Sequence, residues 1–144
     1  MIAVDTNILV YAHRFDSPFN QAAHQLILSL AGSPDRWAIT WPSVYEFLGI
    51  TTHPKIYPDP TPMPRALAQV EAWLDSGNLV LLGETAGTFG ILREQIAAGG
   101  VVGPRVHDAK IAAICLAHRV AELWTADRDF SRLPALPTRN PLAG

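Results

Sequence analysis

The sequence predicts an α/β fold, a three-layer α/β/α sandwich around a short, mostly parallel sheet. Short apolar runs alternate along the chain with longer segments of helical periodicity, which is the order of elements in such a fold. The apolar runs lack the polar alternation of half-exposed strands, as expected when helices cover both faces of a sheet. The chain has 144 residues, so we expect residues 1–144 to form a single domain.

Each element has a local signal. Ser17 and Pro18 predict a helix start, and Gly32 and Gly77 predict helix ends. Five prolines between residues 53 and 64 exclude regular structure there, and the role of this proline-rich loop stays open. The predicted strands cover residues 2–4, 37–39, 79–82 and 123–124, and the predicted helices cover 7–14, 18–32, 43–50, 65–76, 85–98 and 107–119.

Composition restricts the function only loosely. The net charge is −2, from 11 basic and 13 acidic residues, which argues weakly against a nucleic-acid-binding protein. Nine of the basic residues are arginines, however, and a guanidinium holds phosphate through a fixed fork of donors. The single cysteine, Cys115, has apolar neighbours, which indicates a buried thiol and a reducing, cytoplasmic setting. Without a long apolar stretch or a signal peptide, we expect no membrane contact.

Acidic residues occur where the predicted strands end. The opening segment MIAVDTNILVYA places Asp5 directly after the first strand, and Asp127 and Asp129 follow the last one. Asp108 begins a helix whose preceding loop passes the same edge, and Glu46 lies on the helix after the second strand. Because ligands of parallel α/β sheets bind beyond the carboxyl ends of the strands, these acids can converge there.

Such a cluster predicts a metal site. Packed carboxylates repel one another unless a cation neutralises them. Hard oxygen ligands suit Mg²⁺, with Mn²⁺ as a substitute, and a carboxylate-bound ion open to solvent is suited to cutting phosphodiester bonds. We therefore expect a divalent ion, Mg²⁺ or Mn²⁺, among these acids.

Each acid also has a structural interpretation. Asp5 can cap the following helix, and Asp108 suits the dipole of a helix first turn. Glu46 can be a solvated helix residue, and Asp127 and Asp129 can be turn residues. These interpretations leave the joint placement of the acids unexplained.

Basic and imidazole side chains give weaker signals. His107 is expected to pack or cap, because no second histidine or cysteine lies at ligand spacing. Arg14, Arg128 and Arg132 lie near the acids in sequence and are candidates to hold substrate phosphates, although solvated surface positions are the simpler interpretation. The remaining histidines, to which we assign no role, are His13, His24, His53 and His118.

With these positions in hand, the chain resembles the PIN-domain family, and within it the VapC toxins of toxin–antitoxin pairs. Four segments carry the resemblance, in the family's order and spread over the whole chain: VDTNILVYA at 4–12, PSVYEFL at 42–48, VVGPRVHDAKIAAICLAHRV at 101–120 and LWTADRDFSRL at 123–133. The proline-rich loop matches no motif. The resemblance implies a PIN-like fold and a magnesium-dependent endoribonuclease.

The resemblance also assigns roles to residues. Asp5, Glu46, Asp108 and Asp127 match the four catalytic acids, of which Asp5 and Asp108 bind the metal most directly. It implies support for the acids or the attacking water from four further residues: Thr6, Asn7, Thr125 and Asp129. The partners that it implies are an RNA substrate, a small cognate antitoxin that covers the site, and a second copy of the chain in a homodimer.

Three other classes compete with this interpretation. A receiver-type phosphoacceptor domain needs an early pair of acids and a late lysine after a strand, whereas the acidic pair here is late and Lys110 lies inside a helix. A haloacid-dehalogenase-type phosphatase needs an acid at position 7, where this chain has Asn7. A non-catalytic PIN-like module that binds RNA or protein does not need four acids.

Overall fold

The computed structural model describes residues 1–143 and shows five strands and six α-helices over that range. The strands are β1 (Ile2–Val4), β2 (Trp37–Thr40), β3 (Leu79–Leu82), β4 (Glu122–Trp124) and β5 (Thr138–Arg139). The helices are α1 (Thr6–His13), α2 (Asn20–Gly32), α3 (Trp41–Thr51), α4 (Met63–Leu74), α5 (Thr88–Gly99) and α6 (Val106–Ala117). Short 3-10 helices cover Gly103–Arg105 and Arg128–Arg132.

The strands form one sheet in the order β3-β2-β1-β4-β5, and every pairing within residues 1–143 is parallel. The predicted α/β fold is therefore confirmed, with a sheet that is wholly parallel over this range. β1 lies in the centre between β2 and β4, so the residues that follow these three strands share the carboxyl edge of the sheet.

Two apolar cores confirm the three layers. On one face, Ala3 and Ala38 of the sheet pack with Ile114 and Cys115 of α6, which confirms the buried cysteine. On the other face, the alternate strand residues pack with helices α1 to α4. The largest side chains of that second core are Trp37, Ile39, Phe47 and Trp73. This alternation places α5 and α6 on one side of the sheet and α1 to α4 on the other.

A few local predictions were wrong. Helix α2 begins at Asn20, and Ser17 instead accepts a hydrogen bond from the Phe19 N–H within the preceding turn. Strand β5 was missed, since two exposed polar residues after a proline carry no apolar pattern.

The proline-rich loop is fastened to the end of α1. The buried Arg14 guanidinium donates to the Asp59 carbonyl at 2.8 Å and lies 3.9 Å from the centre of the Tyr57 ring. It also makes a bidentate pair with Asp16, at 2.9 and 2.6 Å. The loop thus has a fixed anchor without regular structure. None of the helices in residues 1–143 is both long and apolar enough to cross a membrane.

Candidate active site

The pairing of β1 with β4 places Asp5 beside Thr125. Val4 is in register with Trp124, so the next residue of each strand lies at the carboxyl edge. The Asp5 N–H donates to the Trp124 carbonyl at 2.9 Å, and the Thr125 hydroxyl donates to Asp5 Oδ2 at 2.7 Å. The Thr6 N–H donates to Asp5 Oδ1 at 2.8 Å, so Asp5 also caps α1. Both oxygens of this buried carboxylate have a donor that fixes their direction.

The segment after β4 is held by the same group of side chains. Thr125 Oγ1 accepts from the Asp127 N–H at 3.0 Å, and Asn7 Oδ1 accepts from the Ala126 N–H at 3.2 Å. Asp127 Oδ1 in turn accepts from the Asp129 N–H at 2.8 Å and caps the second 3-10 helix. These contacts fix the backbone that carries Asp127 and Asp129.

Three carboxylates meet beyond this segment. One oxygen each from Asp108, Asp127 and Asp129 lies within 4.8 Å of the others, and we call these residues the acidic trio. Asp108 reaches the trio from the first turn of α6, where the helix dipole favours an acid. The trio thus comes from two segments, one at Asp108 and the other 19 positions later at Asp127, because α6 and β4 both approach the same sheet edge.

Glu46 contacts a histidine beside the trio. Glu46 Oε2 lies 2.6 Å from His107 Nε2, an ion pair when the imidazole is protonated. Glu46 comes from α3 on one face of the sheet and His107 from α6 on the other, so the contact spans the carboxyl edge. Sequence reasoning gave His107 a packing or capping role and missed this contact, which spacing along one chain does not reveal.

The electrostatics indicate unmatched negative charge. The pKa of Asp5 is raised to about 6, mainly by burial. The hydrogen bonds from Thr125 and Thr6 lower this pKa, and the nearby Glu46 and Asp108 raise it. The pKa of Asp108 also rises to about 6, first because of burial and then because of Asp127, while His107 lowers it. Each ionised acid therefore makes its neighbours harder to ionise.

Arg105 is a second residue that sequence reasoning missed. Its Nη2 lies 3.3 Å from Asp129 Oδ1, the one ion pair of the acidic trio within residues 1–143. Its Nη1 is buried without a hydrogen-bond partner in the same range. The signal for Arg105 was its place just before His107 and Asp108 in the segment PRVHD.

The donors fit a divalent ion of the Mg²⁺ type. Three carboxylate oxygens lie close together, their charges are incompletely balanced, and the trio is open enough to leave room for water. The Thr6 hydroxyl is buried and has no partner within residues 1–143, so polar capacity is left over near the acids. A site of this composition at the carboxyl edge of a parallel sheet defines a class of α/β enzymes that use a carboxylate-bound divalent metal.

The structure brings most of the predicted site residues together. Asp5, Asp108 and Asp127 lie at one edge and influence one another's charge, and Asn7 and Thr125 support them. Asp5 and Glu46 lie outside the close trio within residues 1–143, whereas Asp129, expected to support, lies inside it. Which of these acids bind metal directly stays a prediction.

Comparison with known proteins agrees with the fold. Residues 2–136 match the PIN domain family. The ribonuclease VapC33 of Mycobacterium tuberculosis is 31% identical over 147 residues, an alignment that covers 99% of each chain. The crystal structure of VapBC2 from Rickettsia felis bound to a promoter DNA fragment contains a similar chain, with a TM-score of 0.67, 23% identity and coverage of 96% and 98%. A toxin-antitoxin complex from Klebsiella pneumoniae has a TM-score of 0.61, 19% identity and 98% coverage of both chains.

The chain therefore belongs to the PIN-domain family, within which its curated relatives are VapC ribonucleases.

Proposed function

We propose that this chain is the toxin of a toxin–antitoxin pair and acts as an endoribonuclease that hydrolyses RNA phosphodiester bonds with bound Mg²⁺. The observation that carries the proposal is the convergence of Asp5, Glu46 and the acidic trio at one sheet edge, where Arg105 is the one arginine or lysine that forms an ion pair with the trio within residues 1–143. The VapC relatives support the same reaction class. Mn²⁺ is expected to replace Mg²⁺, since both take hard oxygen ligands in octahedral sites.

The residues would divide the work as follows. Asp108 and Asp127 would hold the metal together with Asp5 or Asp129, and a bound ion would supply activation of water and neutralisation of phosphate charge. Thr125 orients Asp5 through its 2.7 Å hydrogen bond, so the direction of that carboxylate is set before substrate arrives. Glu46 and His107, whose Oε2 and Nε2 atoms lie 2.6 Å apart without hydrogen-bond geometry, would place a carboxylate and an imidazole beside the reacting phosphate.

Partners follow from the same proposal. The R. felis neighbour is VapBC2 bound to a promoter DNA fragment, and the K. pneumoniae neighbour is a toxin-antitoxin complex. They support a small antitoxin as a partner of this chain, which would cover its acids. We also propose a homodimer and a cytoplasmic location, with residues 1–144 working as a single domain. Arg128 and Arg132 are exposed near Asp127 and suit RNA phosphates, whereas Arg14 is held in the loop anchor.

A cleavage assay tests this function. Protein freed of any partner is incubated with total RNA in the presence of Mg²⁺, of Mn²⁺ or of EDTA. We expect fragments with either metal and none with EDTA. Cleavage that continues unchanged in EDTA would refute the metal role. RNA that is bound but left intact with metal would favour the non-catalytic module.

Growth tests the toxin role separately. Expression without an antitoxin should arrest a bacterial host, and expression of the Asp108→Asn variant should not. A host that grows normally while making folded wild-type protein that cuts RNA in the cleavage assay would remove the toxin role and leave the ribonuclease.

A further inference from the structure

Two exposed aromatic residues lie on the first turns of α3. The rings of Trp41 and Tyr45 stack with their centres 5.9 Å apart and their planes inclined by 30°. Trp41 is 41% exposed and Tyr45 is 64% exposed, although burial of aromatic area is strongly favourable. Neither residue contributes to the two apolar cores, so this pair is free to cover a ligand.

The aromatic pair lines a cavity at the carboxyl edge. The cavity measures about 220 Å³, and we call it the edge cavity; its lining residues are Trp41, Pro42, Tyr45, Gly83, Glu84 and Lys110. Trp41 directly follows β2, and Gly83 directly follows β3. His118 Nε2 bonds to the Gly83 carbonyl at 2.8 Å, and a side chain at Gly83 would reach to 3.4 Å from the Trp41 ring. Gly83 therefore lies close behind the Trp41 ring.

The edge cavity adjoins the candidate active site on two helices. On α3, Pro42 lies one turn before Glu46, and on α6, Lys110 lies one turn after His107. Glu46 and His107 are themselves in contact, at 2.6 Å. Because one helical turn advances about 5.4 Å, the cavity begins roughly one turn away from the acids on both helices.

The charges at the cavity suit a nucleotide. Lys110 is half-buried and forms no ion pair within residues 1–143, so its ammonium is available to a phosphate. The Glu84 carboxylate lines the same cavity and repels a bare phosphate, but it can accept from an N–H group on the edge of a base. Aromatic faces bind bases of any sequence by stacking.

We propose that the edge cavity is a subsite for one nucleotide of a single-stranded RNA substrate, whose base stacks on Trp41 and Tyr45 while Lys110 binds a neighbouring phosphate. This inference rests on the proposed ribonuclease function and specifies how its substrate is held next to the acids. It makes these three residues binding residues for RNA, with no part in breaking the bond.

A second copy of the chain is the main competing occupant. The buried centre of a protein interface is depleted in charged residues, whereas two of the residues around the edge cavity, Glu84 and Lys110, are charged. The concave shape and the adjacent acids also suit a small flat group on a flexible strand. These observations favour RNA over a protein surface.

Binding measurements test the stacking directly. The Asp108→Asn protein is used as the background, so that the probe is not cut, and a labelled single-stranded RNA of randomised sequence is compared with an abasic ribose-phosphate oligomer of the same length. Adding Trp41→Ala and Tyr45→Ala should weaken RNA binding by roughly tenfold or more and leave abasic binding unchanged. Adding Lys110→Met should weaken both. Phe15→Ala, at an aromatic residue that is 84% exposed and lies beyond the far end of α1, is the control and should change neither.

Kinetics and size in solution complete the test. In the wild-type background, the double aromatic variant should raise KM for RNA with little change in kcat, and its oligomeric state should match that of the wild type. A double variant with unchanged RNA binding and KM would overturn the subsite. The subsite would also be overturned if the double variant turned a dimer into a monomer while each chain bound RNA as before, because a second copy of the chain would then occupy the face.

The two proposals fail in different ways. Wild-type protein that does not cut RNA, while the Trp41 and Tyr45 substitutions still weaken RNA but not abasic binding, refutes the ribonuclease and supports the subsite. Wild-type protein that cuts RNA with equal KM in the double variant refutes the subsite and supports the ribonuclease. Protein that neither cuts nor binds RNA refutes both.

Discussion

The acids at the two ends of α1 differ in their surroundings and in the direction of their pKa shifts. At its C-terminal end, Asp16 is paired with Arg14, and that bidentate bond lowers the pKa of Asp16. At its N-terminal end, about 12 Å along the helix, Asp5 is buried near other acids and its pKa is raised to about 6. Arg14, paired with Asp16, anchors the proline-rich loop through the Asp59 carbonyl. At the edge, more acids than basic groups meet although Asp5 and Asp127 also cap helices, and this excess of negative charge suits a bound cation.

The largest expected effect is the loss of cleavage when an edge acid is neutralised. Asp108→Asn should lower kcat/KM for RNA at least about a hundredfold, because it removes a carboxylate from the acidic trio. Asp16→Asn is the matched control at the other end of α1 and should leave cleavage nearly unchanged. Initial rates with a labelled RNA measure both variants. An Asp108→Asn protein that is folded and fully active would contradict a role of this acid in cleavage.

The support of Asp5 should be the next most sensitive feature. Thr125→Val keeps the shape of the side chain but removes the hydroxyl that donates to Asp5 Oδ2 and accepts from the Asp127 N–H. We expect roughly 10- to 100-fold weaker Mg²⁺ binding by titration calorimetry, since side chains that orient metal ligands have effects of this size. Unaltered affinity would show that Asp5 needs no such orientation.

Substitution of Arg14 should lower the stability of the protein and leave its activity unchanged. Arg14→Met removes the pair with Asp16, the bond to the Asp59 carbonyl and the contact with Tyr57. Urea unfolding should show a loss of about 2 kcal/mol, with cleavage unchanged while the protein is folded. Arg36→Met, at an exposed arginine, should cost less than about 0.5 kcal/mol. A folded Arg14→Met protein with greatly reduced kcat would connect the loop anchor to catalysis.

The smallest expected effect is a dependence of stability on pH in the absence of metal. The pKa of Asp108 is about 6 in the folded chain against an ordinary 3.8, so between these pH values the folded state binds more protons than the unfolded state. Its contribution to stability is therefore present below about pH 4 and is lost as pH rises through 6. Wild type should lose on the order of 1 kcal/mol relative to Asp108→Asn between pH 5 and 7.5. Parallel profiles for the two proteins would contradict the raised pKa.

Local signals were enough to predict the layers and the edge. Strands 2–4 and 79–82 were predicted with their observed bounds, because an unbroken apolar run followed by a polar or turn residue leaves few alternatives. The same rule placed Asp5 and Asp127 at one edge, since residues that follow parallel strands share it.

Contacts across the layers could not be predicted in this way. The Glu46–His107 contact and the Arg105–Asp129 pair join segments whose separation in space depends on how α3, α6 and the last 3-10 helix pack. The Asp16–Arg14 anchor was missed for a different reason, because an acid two positions from an arginine is common on solvated surfaces. Charge compensation thus becomes visible only once the fold is known.

Thermal unfolding of wild type and Asp108→Asn, with and without Mg²⁺, tests most directly whether the edge acids repel one another in the metal-free protein and bind a metal ion. We expect the metal-free variant to melt at or above the temperature of the wild type, because a repulsive charge is gone. Mg²⁺ should raise the melting temperature of the wild type and have much less effect on the variant, since an ion that binds only the folded state stabilises it. A variant that melts well below the wild type, together with a wild type that does not respond to Mg²⁺, would contradict the account and make Asp108 a structural residue of the α6 first turn.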